Sequence, residues 1–406
     1  MYDRLGKGPK RPADLPPNAR IAKPIRIAAL TRYDNLGASS RLRIIQFLPH
    51  LRKLGYEVDV FPLMSDDCLK AKYADKPTRL FADLLKPGLQ RLADLMRSKE
   101  YDLVWLQREA FPYLPWSLER LSYLNLPPII VDYDDAVFHQ YENEKNLLLR
   151  QMLSGKIENV MRSATAVVVG NEYLHNKAAL AGAEKIYQIP TVVELEKYGQ
   201  SSALKDGKFR VGWIGTPSTA KYLNLIAPVL SRAQSELGAE INIIGLSHLS
   251  LPGVDVKLIP WSEETEAAEL SKLSVGIMPL DNTPWELGKC GYKLIQYMAC
   301  GLPVVASPIG ANASIVQDGV NGYLPTSLEE WYVSLKRLKA QPKLATRFGE
   351  AGRKLVHSKY SVDVAITGLL NSFEYTLDYR ARKGEAVSEV ETSKKLSHRH
   401  KRLATS

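Results

Sequence analysis

Residues Met278–Gly322 read MPLDNTPWELGKCGYKLIQYMACGLPVVASPIGANASIVQDGVNG. Val275–Met278 is a short apolar run of the length of a buried strand, and Val304–Ala306 is another. Between them Gly288-Lys289-Cys290-Gly291 forms a flexible, cationic entry to a helix over 290–300, which Gly301 stops. A second helix is expected over 311–317. Strand, glycine loop, helix and returning strand make one unit of a parallel α/β sheet, and ligands bind such sheets at the carboxyl ends of their strands. A helix N-terminus offers unpaired N–H groups and partial positive charge to a diphosphate, and glycines let the backbone come close. Lys289 and Lys293 lie four apart and share a helix face. Gln296 projects near that face and can hydrogen-bond a ribose or a base edge. Cys290, beside Lys289 at a helix start, is expected to have a lowered pKa, with no catalytic role assigned.

The same grammar extends in both directions. Upstream in this half, a strand over Phe209–Ile214 ends in Gly215, followed by a helix over about 219–236 and strands at Ile241–Ile244 and Val256–Ile259. A helix over 263–272 precedes the quoted stretch, and helices over 328–355 and 361–380 follow it. An earlier set begins with Ile25–Thr31, a Gly37 loop, a helix over Ser40–Leu54 and a strand over Tyr56–Pro62, then Leu103–Gln107, Pro128–Asp132, Ala166–Val169 and Ile186–Ile189. Helical patterns fall at about 78–98 and 143–163. Two successive β/α alternations predict two Rossmann-like domains, not one large sheet. The divisions are a proline-rich, disordered lead-in at 1–24, a first domain at 25–198, a polar linker at 199–207, a second domain at 208–360, a helix at 361–381 and a basic, disordered tail at 382–406. Two facing domains put strand ends from both halves around one cleft.

The 406 residues are 45% apolar and 24% charged, ordinary globular values that exclude collagen, coiled coil and wholesale disorder. Cys68, Cys290 and Cys300 are too few for a disulfide scaffold and lack zinc spacing. No apolar run is long enough to span a membrane, and 1–23 has no signal-peptide core, so a cytoplasmic location is expected. The net charge is 54 − 44 = +10. Residues 1–24 hold six Lys/Arg and two acids, and 382–406 hold seven and three, so the tails carry +8 of it. A near-neutral body argues against nucleic acid as a partner. The cationic tails suit the inner face of an anionic membrane, or are simply solvated ends. The stretch Arg79–Lys99, rich in leucine and cations and broken by Pro87-Gly88, reads either as a membrane-facing helix hairpin or as a core-packed helix pair.

Lys293–Pro303, followed by VVASPIG at 304–310 and VQDGVNGY at 316–323, resembles the donor-binding signature of the retaining, nucleotide-sugar-dependent glycosyltransferases of family 4. The resemblance runs from about Arg26 to Tyr379 and is most specific in the second half. It implies the GT-B fold, with the first domain binding an acceptor, the second a donor, and the last helix crossing back to the first domain. Two positions where that family commonly has glutamates are Gly288 and Gln296, with Glu286 just upstream. The resemblance assigns Gly288, Lys289, Cys290, Gly291, Tyr292 and Gln296 to the donor. The loop after Ile214 joins them through Gly215, Thr216 and Ser218, whose hydroxyls and N–H groups suit phosphate where the family has arginine. Ser218 or Thr219 is equally suited to cap a helix. Lys221 and Lys293 would stabilise the leaving diphosphate.

In the first half Tyr33–Arg41 resembles the family's glycine loop. Gly37 would allow close approach; of Arg41 and Arg43 one is expected in the cleft and the other solvated. Asp134 and Asp135, at a strand end, would orient acceptor hydroxyls and the transferred sugar, or one of them would cap a helix. His139 and Asn171 are placed at the cleft, with a surface histidine and a helix cap as the plain alternatives. The family needs no bound metal and no cofactor, the nucleotide sugar being a substrate. The implied function is retaining transfer to a glycan or lipid-linked saccharide in bacterial envelope or exopolysaccharide synthesis. A nucleotide-sugar epimerase and an inactive nucleotide- or glycan-binding protein are the rivals.

Overall fold

The computed structural model describes residues 24–73, 80–199 and 206–379. The expected lead-in, basic tail and middle of the linker lie outside the described residues. Two six-stranded sheets are present. The first has the order β2-β1-β3-β4-β5-β6, with β1 Ile25–Tyr33, β2 Tyr56–Met64, β3 Leu103–Gln107, β4 Ile129–Tyr133, β5 Ala166–Val169 and β6 Ile186–Gln188. The second has the order β12-β11-β10-β7-β8-β9, with β7 Arg210–Ile214, β8 Glu240–Ile244, β9 Val256–Ile259, β10 Val275–Met278, β11 Val304–Ala306 and β12 Gly322–Tyr323. All pairings are parallel.

A parallel sheet is covered on both faces, so its inner strands are largely apolar and alternate between two cores. In the first sheet Ile27, Ala29, Trp105 and Val168 face one core, and Ala28, Leu30, Leu106 and Val169 face the other. Residues 362–379 are helical and bring Val362, Ile366, Leu369 and Phe373 onto the Ile27 side. The ring of Phe373 meets Trp105 edge-on at 5.3 Å. The last helix thus crosses back to the first sheet. Where it does so, Val193 bonds to both Tyr360 and Val362 through the backbone, so the two chain crossings between domains lie side by side.

Several helices differ from expectation. The one expected over Ser40–Leu54 is interrupted at Ile44, between Ala38–Arg43 and Leu48–Lys53, and the latter starts with proline in its first turn. Pro87 does not break its helix: Leu80–Arg97 is continuous. The missing proline N–H costs one bond, while Arg91, Asp94, Leu95 and Ser98 downstream anchor the helix by burial. The pattern at 143–163 divides into Leu147–Leu153 and Lys156–Ser163 at Gly155, whose φ is 66°. The helix expected over 219–236 runs as short turns until Ala227–Leu237.

Candidate functional site

The carboxyl ends of β7 and β10 face those of β1, β3, β4 and β5 across the gap between the sheets. On the second-domain wall, Gly291 takes φ 67° and caps the helix Tyr292–Ala299. A Cβ there would lie 2.4 Å from Ile315, so glycine is required for space as well as conformation. The first N–H groups of this helix have no intrahelical acceptor. Lys293, half-buried, lies over Trp213 at 5.4 Å, and Lys289 over Trp285 at 5.8 Å. Burial, and then the neighbouring charge of Lys289, lowers Lys293 to about 8. Gln296 is buried and donates to Glu266 at 2.7 Å. Glu266 also accepts from Tyr198 and Trp261. Tyr292 stands beside Tyr198, its hydroxyl pushed up by burial. Glu286 is buried and accepts from Tyr222 and Thr283, which outweigh burial and keep it ionised.

In the loop after β7, a Cβ at Gly215 would lie 2.5 Å from Trp213. The helix cap is Thr216, not Ser218 or Thr219, because Pro217 occupies the first helical position. The hydroxyls of Thr216 and Ser218 pair at 2.9 Å, and Thr219 bonds back to the Thr216 carbonyl. Lys221 is exposed.

The first-domain wall has a buried base and a substrate-facing rim. Arg43 is buried, not solvated: it pairs with Asp132 through two bonds of 2.8 and 3.0 Å and donates to the Ile189 carbonyl. Asp134 accepts from Arg108 at 2.9 Å and from Ser39. Burial alone would raise its pKa, but Arg108, Ser39 and Arg43 outweigh it and hold the carboxyl below its usual range. Gln107 donates to Ser39 at 2.7 Å and fixes it from below. Arg108 adopts φ 68°, a left-handed backbone that a long side chain rarely takes. Asp135 is different. Its Oδ1 is buried, makes no hydrogen bond, and lies 3.9 Å from Lys289 of the other domain. Burial raises its pKa, against the pull of Lys289.

The two walls touch. Asn171 caps the helix Glu172–Leu180 by accepting from Leu174. Its side-chain amide donates to the carbonyls of Leu287, Gly288 and Lys289, at 3.4, 2.9 and 3.1 Å. A Cβ at Gly288 would lie 2.7 Å from the Ala136 nitrogen, which gives a packing reason for glycine at that position. Cys290 packs against Gly170 and its thiol donates to the Asp134 carbonyl at 3.1 Å. It therefore faces the first domain, and burial pushes it up to about 12 rather than down. Arg41 stacks on Trp261 at 4.8 Å and lies 3.9 Å from Glu263, so it also bridges the domains. Gly37 caps Ala38–Arg43, with no room for a Cβ beside Tyr33. His139 is held between Tyr173 and Glu142, in a ring cluster with Phe138.

Sequence reading missed Ser39, Gln107, Arg108 and Glu266. Arg108 follows β3 at a strand end, the position that flagged Asp134, and was legible by that criterion. Ser39 and Glu266 have only their contacts to single them out. Among the described residues no group of three His, Cys, Asp or Glu is placed to hold a metal.

Two parallel sheets facing across such a cleft define the GT-B class. Sucrose-phosphate synthase from Thermosynechococcus elongatus superposes with a TM-score of 0.65 at 16% identity, over 88% of this chain and 100% of that one. Anabaena HepE in complex with UDP-glucose superposes with a TM-score of 0.62 at 15% identity, over 86% and 99%. Residues 208–340, within the second domain, match the family model described as Glycosyl transferases group 1. Among curated relatives, the putative teichuronic acid biosynthesis glycosyltransferase TuaH of Bacillus subtilis is 21% identical over 266 residues, 59% of this chain. The match spans 64% of that protein, and a match to a sucrose synthase spans 11% of its length.

Proposed function

We propose that this protein transfers a sugar, with retention, from a nucleotide diphosphate donor held by the second domain to an acceptor hydroxyl presented by the first. One observation carries the reading: the Asp135 oxygen of one domain, buried without a hydrogen bond, faces the cationic helix start, Lys289 and Lys293, of the other. A diphosphate fits the cations and the helix N–H groups. A sugar hydroxyl fits the orphaned carboxylate oxygen, which is costly to leave buried and unbonded. HepE, bound to UDP-glucose, is in keeping with this donor class.

As the sugar–phosphate bond breaks, negative charge grows on the leaving phosphate. Lys293, Lys289 and the first-turn N–H groups stand where that charge develops, preorganised and partly shielded from water. The acceptor oxygen attacks on the face the phosphate leaves, and the phosphate takes its proton. On this reading these cations replace a bound metal and no cofactor takes part. Asp135 orients hydroxyls, while Asp134 is a positioning residue, already saturated by Arg108 and Ser39. The acceptor is a glycan or lipid-linked saccharide of envelope or exopolysaccharide synthesis, met in the cytoplasm at the membrane's inner face.

The test is thermal stabilisation by UDP, GDP, dTDP and CDP and their sugar conjugates, with and without chelator. One nucleotide class at 100 times its dissociation constant should stabilise the protein by about 2.7 kcal/mol. The shift should survive chelation and be lost in Lys293→Ala, with turnover down by ~10²-fold or more. Stabilisation by no nucleotide would sink the reading.

A further inference from the structure

Over residues 85–97 the helix Leu80–Arg97 buries polar groups and exposes apolar ones. Its inward face buries Arg91, Asp94 and Ser98 beside Leu95, and Arg91 donates to the carbonyls of Thr31 and Phe61. Its outward face carries Leu85, Leu89, Leu92 and Met96, which are 66%, 63%, 43% and 57% exposed. Their spacing of four, three and four places them within about 60° of one another around the helix axis. Apolar side chains would be expected on the buried side; here Arg91 and Asp94 are satisfied within the fold while Leu85, Leu89, Leu92 and Met96 face out. The neighbouring short helices Trp116–Glu119 and Arg120–Tyr123 add Leu118, Leu121 and Leu124, all more than half exposed. A concentration of exposed apolar side chains of this kind marks an interaction surface.

The charges around it select the partner. Lys86, Arg97, Lys99 and Arg120 are exposed beside the stripe, and among the side chains described over 85–100 the one exposed acid is Glu100. A second copy of the chain would set this cationic rim against itself. An anionic bilayer takes both features: leucine side chains enter the boundary between headgroups and acyl chains, and lysine and arginine reach the phosphates. Trp116 and Tyr123, ring centroids 5.6 Å apart, pack against each other, and the Tyr123 hydroxyl donates inward to Glu119, which ties the 116–124 segment to the first domain. No helix among the described residues is long and apolar enough to cross a membrane, so the contact is made lying on the surface.

We infer that the outward face of Leu80–Arg97, with the adjoining segment 116–124, docks the first domain onto an anionic lipid surface. The face is on the first domain and is separate from the Lys289–Lys293 wall, so the inference does not rest on sugar transfer. The cationic chain ends at 1–24 and 382–406 also attract anionic lipid, but they supply no leucine stripe, and the test separates the two contributions.

The experiment is flotation of the full chain with phosphatidylcholine vesicles and with the same vesicles doped with phosphatidylglycerol. Wild type should float with the doped vesicles and poorly with the neutral ones. Leu85→Ser/Leu89→Ser/Leu92→Ser/Met96→Ser should lower partitioning at least ~10-fold with an unchanged melting temperature, since the residues removed are exposed. Leu89→Glu alone, the smallest disturbance of the fold, should give the same direction of change. Lys86→Gln/Arg97→Gln/Lys99→Gln should lower partitioning into anionic vesicles by roughly 100-fold and leave neutral ones unaffected. Wild-type flotation of the serine variant would overturn the inference and assign membrane contact to the chain ends. A wild-type dimer that the serine variant converts to monomer, with no flotation of either, would overturn it in favour of a second copy.

Discussion

Lys293 combines a cation with an environment that disfavours it. Burial and Lys289 lower its pKa to about 8, so it is charged at neutral pH but close to losing its proton. The sign follows directly. Below about 8 the cation is present and holds a diphosphate; as pH rises through 8 it is lost. The dissociation constant for the donor's nucleoside diphosphate should therefore rise above pH 8 in calorimetric titrations. In Lys293→Arg the rise should vanish, because guanidinium does not titrate there. A pH-independent wild-type affinity would remove Lys293 from the phosphate site. Single residues were the least legible level. Asp134 and Asp135 are equivalent in the sequence; what separates them is Arg108, 26 residues upstream, which saturates one and leaves the other open. Cys290 shows the limit of reading from neighbours. Lys289 and the helix start argued for a lowered pKa, but the thiol is enclosed between domains and is raised instead.

At the scale of elements, one side chain organises the cationic turn. Asn171 draws the carbonyls of Leu287, Gly288 and Lys289 toward the first domain, which leaves the N–H groups that follow free to face the cleft. Asn171→Asp keeps the cap on Glu172–Leu180, since either carboxylate oxygen accepts from Leu174. It removes the amide donors and sets a negative charge against three carbonyl oxygens. The melting temperature should change little, while the donor KM rises about 10-fold or more and kcat for bound donor falls less. An equal loss in Asn171→Ala and Asn171→Asp, together with loss of stability, would mean that only the cap matters. Strands were the legible elements because a parallel sheet buries both faces, so β5, β10 and β11 stand out as unbroken apolar runs. Helices were legible as patterns but not in their breaks. Ile44 interrupts one without any proline or glycine at that position, and Pro87 fails to interrupt another because burial of Arg91, Asp94, Leu95 and Ser98 downstream outweighs one missing bond.

At the scale of the molecule, two connections set how the domains move. At one end Val193 and the 360–362 backbone bond to each other, forming a paired crossing suited to a hinge. At the other, Gly288 lies against Ala136, Cys290 against Gly170, and Arg41 on Trp261. Closure therefore depends on glycines that the sequence reading took as freedom for a phosphate loop; the space they leave is filled by the opposite domain. Gly288 has φ −75°, so any residue tolerates its backbone, and a side chain there acts only by bulk. Gly288→Val should leave each domain folded, because the clash lies between them. It should raise the radius of gyration measured by small-angle scattering and cut sugar transfer by ~10²-fold, since Asp135 would no longer reach the helix start. Nucleotide binding, confined to the second domain, should fall far less than transfer. A Gly288→Val variant with wild-type dimensions and turnover would show that the contact between Gly288 and Ala136 is not part of the active arrangement.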